Sequence, residues 1–326
     1  MTAGSEIRDG LFFIVGHHRG GTTLLQSMLS SHSRITIPPE TQYFLEVWPR
    51  REKFGGLDDM AVRERVARFL RSQDCSMRDL KLDFDEIVTS LGPGADYVDL
   101  FTATLATWAG ARGKPRVGDK SPGYMHIVPV IAGLYPQAKF IASLRDPRAV
   151  ANSELNADWG ALSADQIARR WRRIVERHYE LERFLSSDRY LMIRYEDLVR
   201  EPEEYLRGIC AFLGESFEPA MLRYYERPAD ELGFDKSENW KFNTLKPLDP
   251  DRLDAWKASL NAKQIDLIER AAAPHLESLR YEPASIDRPG LLGRLWNRFL
   301  DRIPWAMEVL TGAARRKRGP RRRRSE

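Results

Sequence analysis

Apolar residues follow two rhythms along this chain. Short runs of strand type, at 11–15 (LFFIV), 34–37 (RITI), 115–118, 139–144 (KFIASL) and 190–195 (YLMIRY), alternate with stretches whose apolar residues return every three or four positions. Those stretches predict a helix after the glycines of the first loop, with Leu24, Leu25, Met28 and Leu29 on one face, and others at 125–134, 147–153, 165–185 and 203–213. Pro147 suits a first helical turn, where its missing N–H costs nothing. Between 41 and 113 the pattern is largely helical, with Val62, Val66, Phe69 and Leu70 in phase and breaks at Gly55-Gly56 and Gly92-Pro93-Gly94. This region reads as a helical insertion that covers a cleft, or equally as packing alone.

Strands separated by helices predict an α/β fold: a three-layer sandwich around a central parallel sheet. Polar clusters stand repeatedly at the C-terminal ends of the strands, the edge where open α/β sheets bind ligands. Beyond Pro289 the pattern changes. Leu291, Leu292, Leu295, Trp296, Phe299, Leu300 and Ile303 recur at helical spacing beside Arg294, Arg298 and Arg302, so a domain of residues 1–288 is expected to be followed by an amphipathic helix and polybasic tail at 289–326.

Composition refines this picture in three places. No apolar run is long enough to span a bilayer, and the opening MTAGSEIRDG has mixed charges and no apolar core, so neither a spanning helix nor a secretory signal is expected. Cys75 and Cys210 have no CxxC or Cys/His companions, which points to buried packing in a reducing cytoplasm. The pI near 9.0 misleads, because eight basic residues crowd between Arg315 and Arg324 and the rest of the chain is slightly acidic. A basic footprint for specific nucleic-acid binding is therefore not indicated; the tail instead suits an anionic membrane surface, or solvent. Oligomeric state is not readable.

The chemistry concentrates where the first strand meets the first helix, at GHHRGGTT (16–23). Gly16, Gly20 and Gly21 let the backbone turn tightly and present its N–H groups, and the helix dipole adds positive charge, so a P-loop-like phosphate-binding loop is predicted. Thr22 stands where a nucleotide-triphosphate loop needs lysine. That substitution argues against the alternative of a degenerate nucleotide kinase or NTPase, in which Asp146 would hold Mg²⁺. A non-catalytic membrane- or nucleic-acid-binding scaffold is the other alternative. Glu40 follows Pro38-Pro39 just past a short strand, within reach of the same edge. His126, His178 and His275 lack mutual ligand spacing and read as surface or packing residues.

Three separated motifs, GHHRGGTTLL (16–25), GDKSP (118–122) and FIASLRDPRAVANS (140–153), with a weaker fourth, RYEDLVREP (194–202), resemble the 3′-phosphoadenosine 5′-phosphosulfate (PAPS)-dependent sulfotransferases. The resemblance covers most of residues 11–282 and is nearest to the tyrosylprotein sulfotransferases and their bacterial relatives. It implies that Arg19, Gly20, Gly21, Thr22 and Thr23 hold the 5′-phosphosulfate, that Arg145 and Ser153 bind the 3′-phosphate, and that Tyr195 lies along the adenine. The intervals from Arg19 to Glu40 and from Lys120 to Arg145 match that branch, which makes Glu40 the general base and Lys120, with Arg19, a catalytic cation. Chemistry asks for the same types: a proton acceptor for the acceptor hydroxyl, and positive charge where transferring oxygens become negative. With two cations there, no metal is expected. His17 and His18 are rival bases, ranked below Glu40 because they sit inside the loop. Ser237, Asn243 and Lys246 are implied nucleotide contacts, though an insertion separates them here. The secretory disulfides of the tyrosylprotein branch have no counterpart, so its luminal substrate does not carry over. The expected acceptor is a hydroxyl of a carbohydrate, lipid, small molecule or peptide tyrosine; the expected place is the cytoplasm, or the inner face of the membrane.

Overall fold

In the computed structural model, residues 3–157, 162–227 and 245–284 are described. Five strands, β1 (Phe12–Gly16), β2 (Ile35–Thr36), β3 (Arg116–Lys120), β4 (Lys139–Leu144) and β5 (Tyr190–Arg194), form one sheet in the order β2-β3-β1-β4-β5. Every pairing is parallel, with Phe12 opposite Gly118 on one side and Lys139 on the other. Chain order reverses across β1, so the crevice beyond its carboxyl end lies at the switch point of the sheet, where ligands of such folds bind.

Side chains of β1 alternate between two cores, as strand geometry requires. Leu11, Phe13 and Val15 enter one cluster, while Phe12 and Ile14 enter the other with Leu25, Met28 and Leu29 of the helix Thr22–Ser30. Phe13 stacks on Phe140 at 5.4 Å and on Phe101 at 6.3 Å. The region 41–113 packs against the central sheet. Its Tyr43, Phe44, Leu100 and Phe101 are buried in the same cluster as Phe13, so these helices are one of the three layers. Cys75 and Cys210 are both buried thiols, pushed up to about 12 and about 11 by burial.

Element ends depart from the sequence pattern where polar residues enter strands. β3 continues through Asp119 and Lys120, which pair in register with Phe13 and Ile14 of β1. Tyr195 opens the helix Tyr195–Arg200 rather than closing β5. The stretch 125–134 divides into a 3-10 turn, Pro122–His126, and the helix Val128–Leu134. Among the described residues, no helix is long and apolar enough to cross a membrane. The expected amphipathic tail at 289–326, and with it Ser237 and Asn243, lies outside the described residues.

Candidate active site

The loop after β1 is built to expose amides to an anion. Gly16 (φ 149°) passes so close to β4 that a Cβ would sit 2.5 Å from the Ser143 carbonyl oxygen. Gly20 N–H donates to the His17 carbonyl at 2.9 Å, and its own carbonyl accepts from Ser143 Oγ at 2.6 Å. Gly20 therefore shapes the turn. Gly21 (φ 93°) caps the helix Thr22–Ser30 and, having no side chain, makes no side-chain cap hydrogen bond; among the described residues none is made there. Arg19 itself takes a left-handed conformation (φ 64°), uncommon outside glycine and concentrated at functional sites.

Beside these amides lies a cavity of about 500 Å³, lined among others by Arg19, Thr22, Thr23, Arg145, Ser153 and Tyr195. Arg19 Nε donates to Ser153 Oγ at 2.8 Å, and Arg145 Nη1 donates to the Arg19 carbonyl at 3.2 Å. Arg145 stacks over the Tyr195 ring at 4.5 Å, and its backbone carbonyl accepts from Trp171 Nε1 at 2.8 Å. Burial, and next the nearby Arg145 charge, pull the Arg19 pKa down. Arg145 Nε is buried and has no partner among the described residues. Two crowded cations with an unspent donor, next to uncapped helix amides, fit a polyanion such as a bisphosphorylated nucleotide. The two anion pockets anticipated from the motifs are one continuous recess, since Arg19 reaches across to Ser153. Lys246 is exposed, its carbonyl accepting from Tyr224 Oη at 2.6 Å, while its neighbours Pro247, Leu248 and Asp249 line the cavity.

Glu40 and Lys120 meet outside that cavity lining. Lys120 Nζ lies 2.5 Å from Glu40 Oε1; the lysine side chain is 1% exposed and the glutamate 27%. The other carboxylate oxygen, Oε2, accepts from Gln42 Nε2 at 2.9 Å. Burial lowers the His18 pKa, and the charges of Glu40, Arg170 and Lys120 act on it as well. His17 is a different case. Arg170 Nε, which can only donate, points at His17 Nε2 at 3.3 Å, so His17 carries its proton on Nδ1 and gives it to the His18 carbonyl at 2.5 Å. Burial takes its pKa down to about 3, and its free lone pair is already used. His17 is thus a loop-shaping residue and no base.

Sequence reading missed the partners behind these groups. Glu154 binds Arg170 and so ties the phosphate loop to the helix that carries Ser153. Asp119 and Thr41 stand behind Glu40, joined at 2.7 Å. Nothing in periodicity marks either pair, although Glu154 and Asp119 each adjoin a residue already singled out. Asp146, the magnesium ligand of the kinase alternative, has both carboxylate oxygens engaged by Arg148, so it is a helix cap and ion-pair partner.

Comparison with known proteins gives the chain a family. A family profile described as the sulfotransferase family matches residues 12–219. The protein-tyrosine sulfotransferase of Drosophila melanogaster is 26% identical over 84% of this chain and 52% of its own length. Protein-tyrosine sulfotransferase 1 of Danio rerio is 27% identical, over 84% of this chain and 72% of its own. The chain thus spans about half of the fly protein. Among solved structures, the sulfotransferase domain of the Synechococcus PCC 7002 olefin synthase superposes with a TM-score of 0.54 at 28% identity, covering 80% of this chain and 94% of that domain. The matched span begins at β1 and takes in the phosphate loop, Glu40, Lys120, Arg145, Ser153 and Tyr195, and on that ground this chain belongs to the sulfotransferase family.

Proposed function

We propose that this chain transfers a sulfuryl group from PAPS to an acceptor hydroxyl, releasing adenosine 3′,5′-bisphosphate. The observation that carries the reading is the recess where Arg19, Arg145 and Ser153 meet beside the uncapped helix amides, with the Glu40–Lys120 pair beyond the same loop. When bound, the donor supplies the sulfuryl group and a phosphate leaving group. The chain supplies position and charge. Arg19, the Thr22 and Thr23 hydroxyls and the first-turn amides hold the 5′ end; Arg145 and Ser153 hold the 3′-phosphate, and Tyr195 flanks the nucleoside. Glu40, the more exposed partner of its pair, takes the proton from the acceptor hydroxyl. Lys120 then faces a neutral acid instead of a carboxylate, and its field acts on negative oxygens in the cleft. No metal is assigned a part.

The acceptor class is a hydroxyl of a carbohydrate, lipid, small molecule or peptide tyrosine. The names of the fly and zebrafish relatives support the last. We place the enzyme in the cytoplasm, with the arginine-rich segment 289–326 drawing it to anionic membrane.

Calorimetry with adenosine 3′,5′-bisphosphate tests the nucleotide reading. It is expected to bind far more tightly than AMP, and Arg145→Ala to weaken it by about 10- to 100-fold, the worth of a charge-assisted phosphate contact. Equal affinity for AMP and the bisphosphate would contradict the 3′-phosphate site. Glu40→Gln is expected to keep that affinity and lose about 10²- to 10⁴-fold in transfer of labelled sulfuryl to fractionated cell extract.

A further inference from the structure

Three consecutive residues at the end of β3 meet three consecutive residues of the loop that bears Glu40. Lys120 Nζ pairs with Glu40 Oε1, Asp119 Oδ2 accepts from Thr41 Oγ1 at 2.7 Å, and Ser121 Oγ accepts from the Gln42 N–H at 3.3 Å. The loop is held by its side chains and backbone together.

Thr41 is the pivot. It is fully buried, and since a carboxylate only accepts, its hydroxyl proton must go to Asp119. Its oxygen then accepts from Tyr43 N–H at 3.3 Å and from Tyr124 Oη at 3.1 Å, while Tyr124 Oη accepts from Phe44 N–H at 3.2 Å. Next to it, Gln42 adopts a left-handed backbone (φ 50°) that turns its side chain back to donate to Glu40 Oε2. A non-glycine residue stays in that conformation only where its surroundings over-determine it.

Asp119 is costly to keep where it is. It is 0% exposed, its Oδ1 has no hydrogen-bond partner among the described residues, and burial pushes its pKa up to about 6. A buried, half-satisfied carboxylate is a poor device for stability alone.

We propose that Asp119 and Thr41 are positioning residues: through the Asp119–Thr41 hydrogen bond they fix the loop so that the Glu40 carboxylate stands against Lys120 with its second oxygen directed by Gln42. Neither residue lines the nucleotide cavity. The knot therefore acts on proton transfer and not on donor binding. The inference rests on Glu40 being the base, so the test separates the two.

Transfer of labelled sulfuryl from PAPS to fractionated cell extract, and calorimetry with adenosine 3′,5′-bisphosphate, are measured on full-length wild type, Thr41→Val, Thr41→Ser, Asp119→Asn and Glu40→Gln. Thr41→Val, which keeps shape and loses the donor, is expected to slow transfer by about 10- to 100-fold, the cost of misplacing a reacting group by an ångström. Its affinity for the bisphosphate stays within about twofold of wild type, since the cavity is untouched. Thr41→Ser restores the hydroxyl and most of the rate, and Asp119→Asn, which keeps an acceptor oxygen, loses less than Thr41→Val. Wild-type transfer by Thr41→Val beside an inactive Glu40→Gln would overturn the positioning role alone. So would loss of nucleotide affinity in step with rate in both Thr41→Val and Asp119→Asn, the mark of general unfolding. Wild-type transfer by Glu40→Gln would remove the base and the inference with it.

Discussion

A methyl group at position 21 would land inside the van der Waals surface of the Tyr195 ring, at a backbone φ of 93° that side-chain-bearing residues rarely adopt. Gly21→Ala must therefore push away either the ring that stacks on Arg145 or the start of the helix whose amides face the anion. Backbone strain of this kind costs about 1–3 kcal/mol, so affinity for adenosine 3′,5′-bisphosphate is expected to fall by roughly 5- to 150-fold in calorimetry. Unchanged affinity would mean that neither ring nor amides take part. Glycine was legible here as a requirement of the loop, but the ring it accommodates was not. Arg19 shows the same limit. The sequence marks it as a loop cation, yet its side-chain partner, Ser153, is 134 residues away. Lys120 was legible as a charge but not as a side chain 1% exposed, because burial is decided by groups distant in sequence, among them Glu40.

At the level of elements, short runs of strand type located the strands, and most plainly β1 and β4, which are buried on both faces and read as near-continuous hydrophobic stretches. β4 was found at its observed bounds, Lys139–Leu144. β3 was cut short because Asp119 and Lys120 look like loop residues; only the neighbouring strand and the groups above them compensate polar side chains in such a place. The helices of 41–113 were legible as helices, and of the two readings open for them packing is the one their buried face fits. Helical periodicity tells which face is apolar but not what it covers, and here it covers the Phe13 face of the central strand.

Over the whole molecule, buried ionisable groups set the response to acid. His17 and His178 are buried, and both pKa values are lowered to about 3 from the ordinary 6.5. The unfolded chain takes up protons that the native chain refuses, so their contribution is fully present above pH 6.5 and is lost as pH falls below it. Each histidine removes about 1.4 kcal/mol per pH unit. Asp119, raised to about 6, has the opposite sign between its ordinary 3.8 and that value, and offsets one of them there. Urea unfolding at pH 7.5 and pH 5 should show stability falling toward acid, with a drop shallower by about 1.4 kcal/mol per unit in His178→Asn. An identical slope in that variant would show that His178 titrates normally. Deleting residues 289–326 should abolish co-sedimentation with anionic liposomes while leaving bisphosphate binding intact; equal sedimentation of both forms would sink the membrane role. The α/β class, the phosphate loop and the residue types at the strand ends can be read from residue order alone, because strand burial, tight turns and helix N-termini are governed by neighbours along the chain. That Arg19 joins Ser153 and Arg145 in one recess, that Lys120 lies against Glu40, and that Asp119 meets Thr41 behind that pair comes from packing. Those contacts depend on which strands lie side by side, and the order β2-β3-β1-β4-β5 is a property of the packed sheet that no local pattern carries.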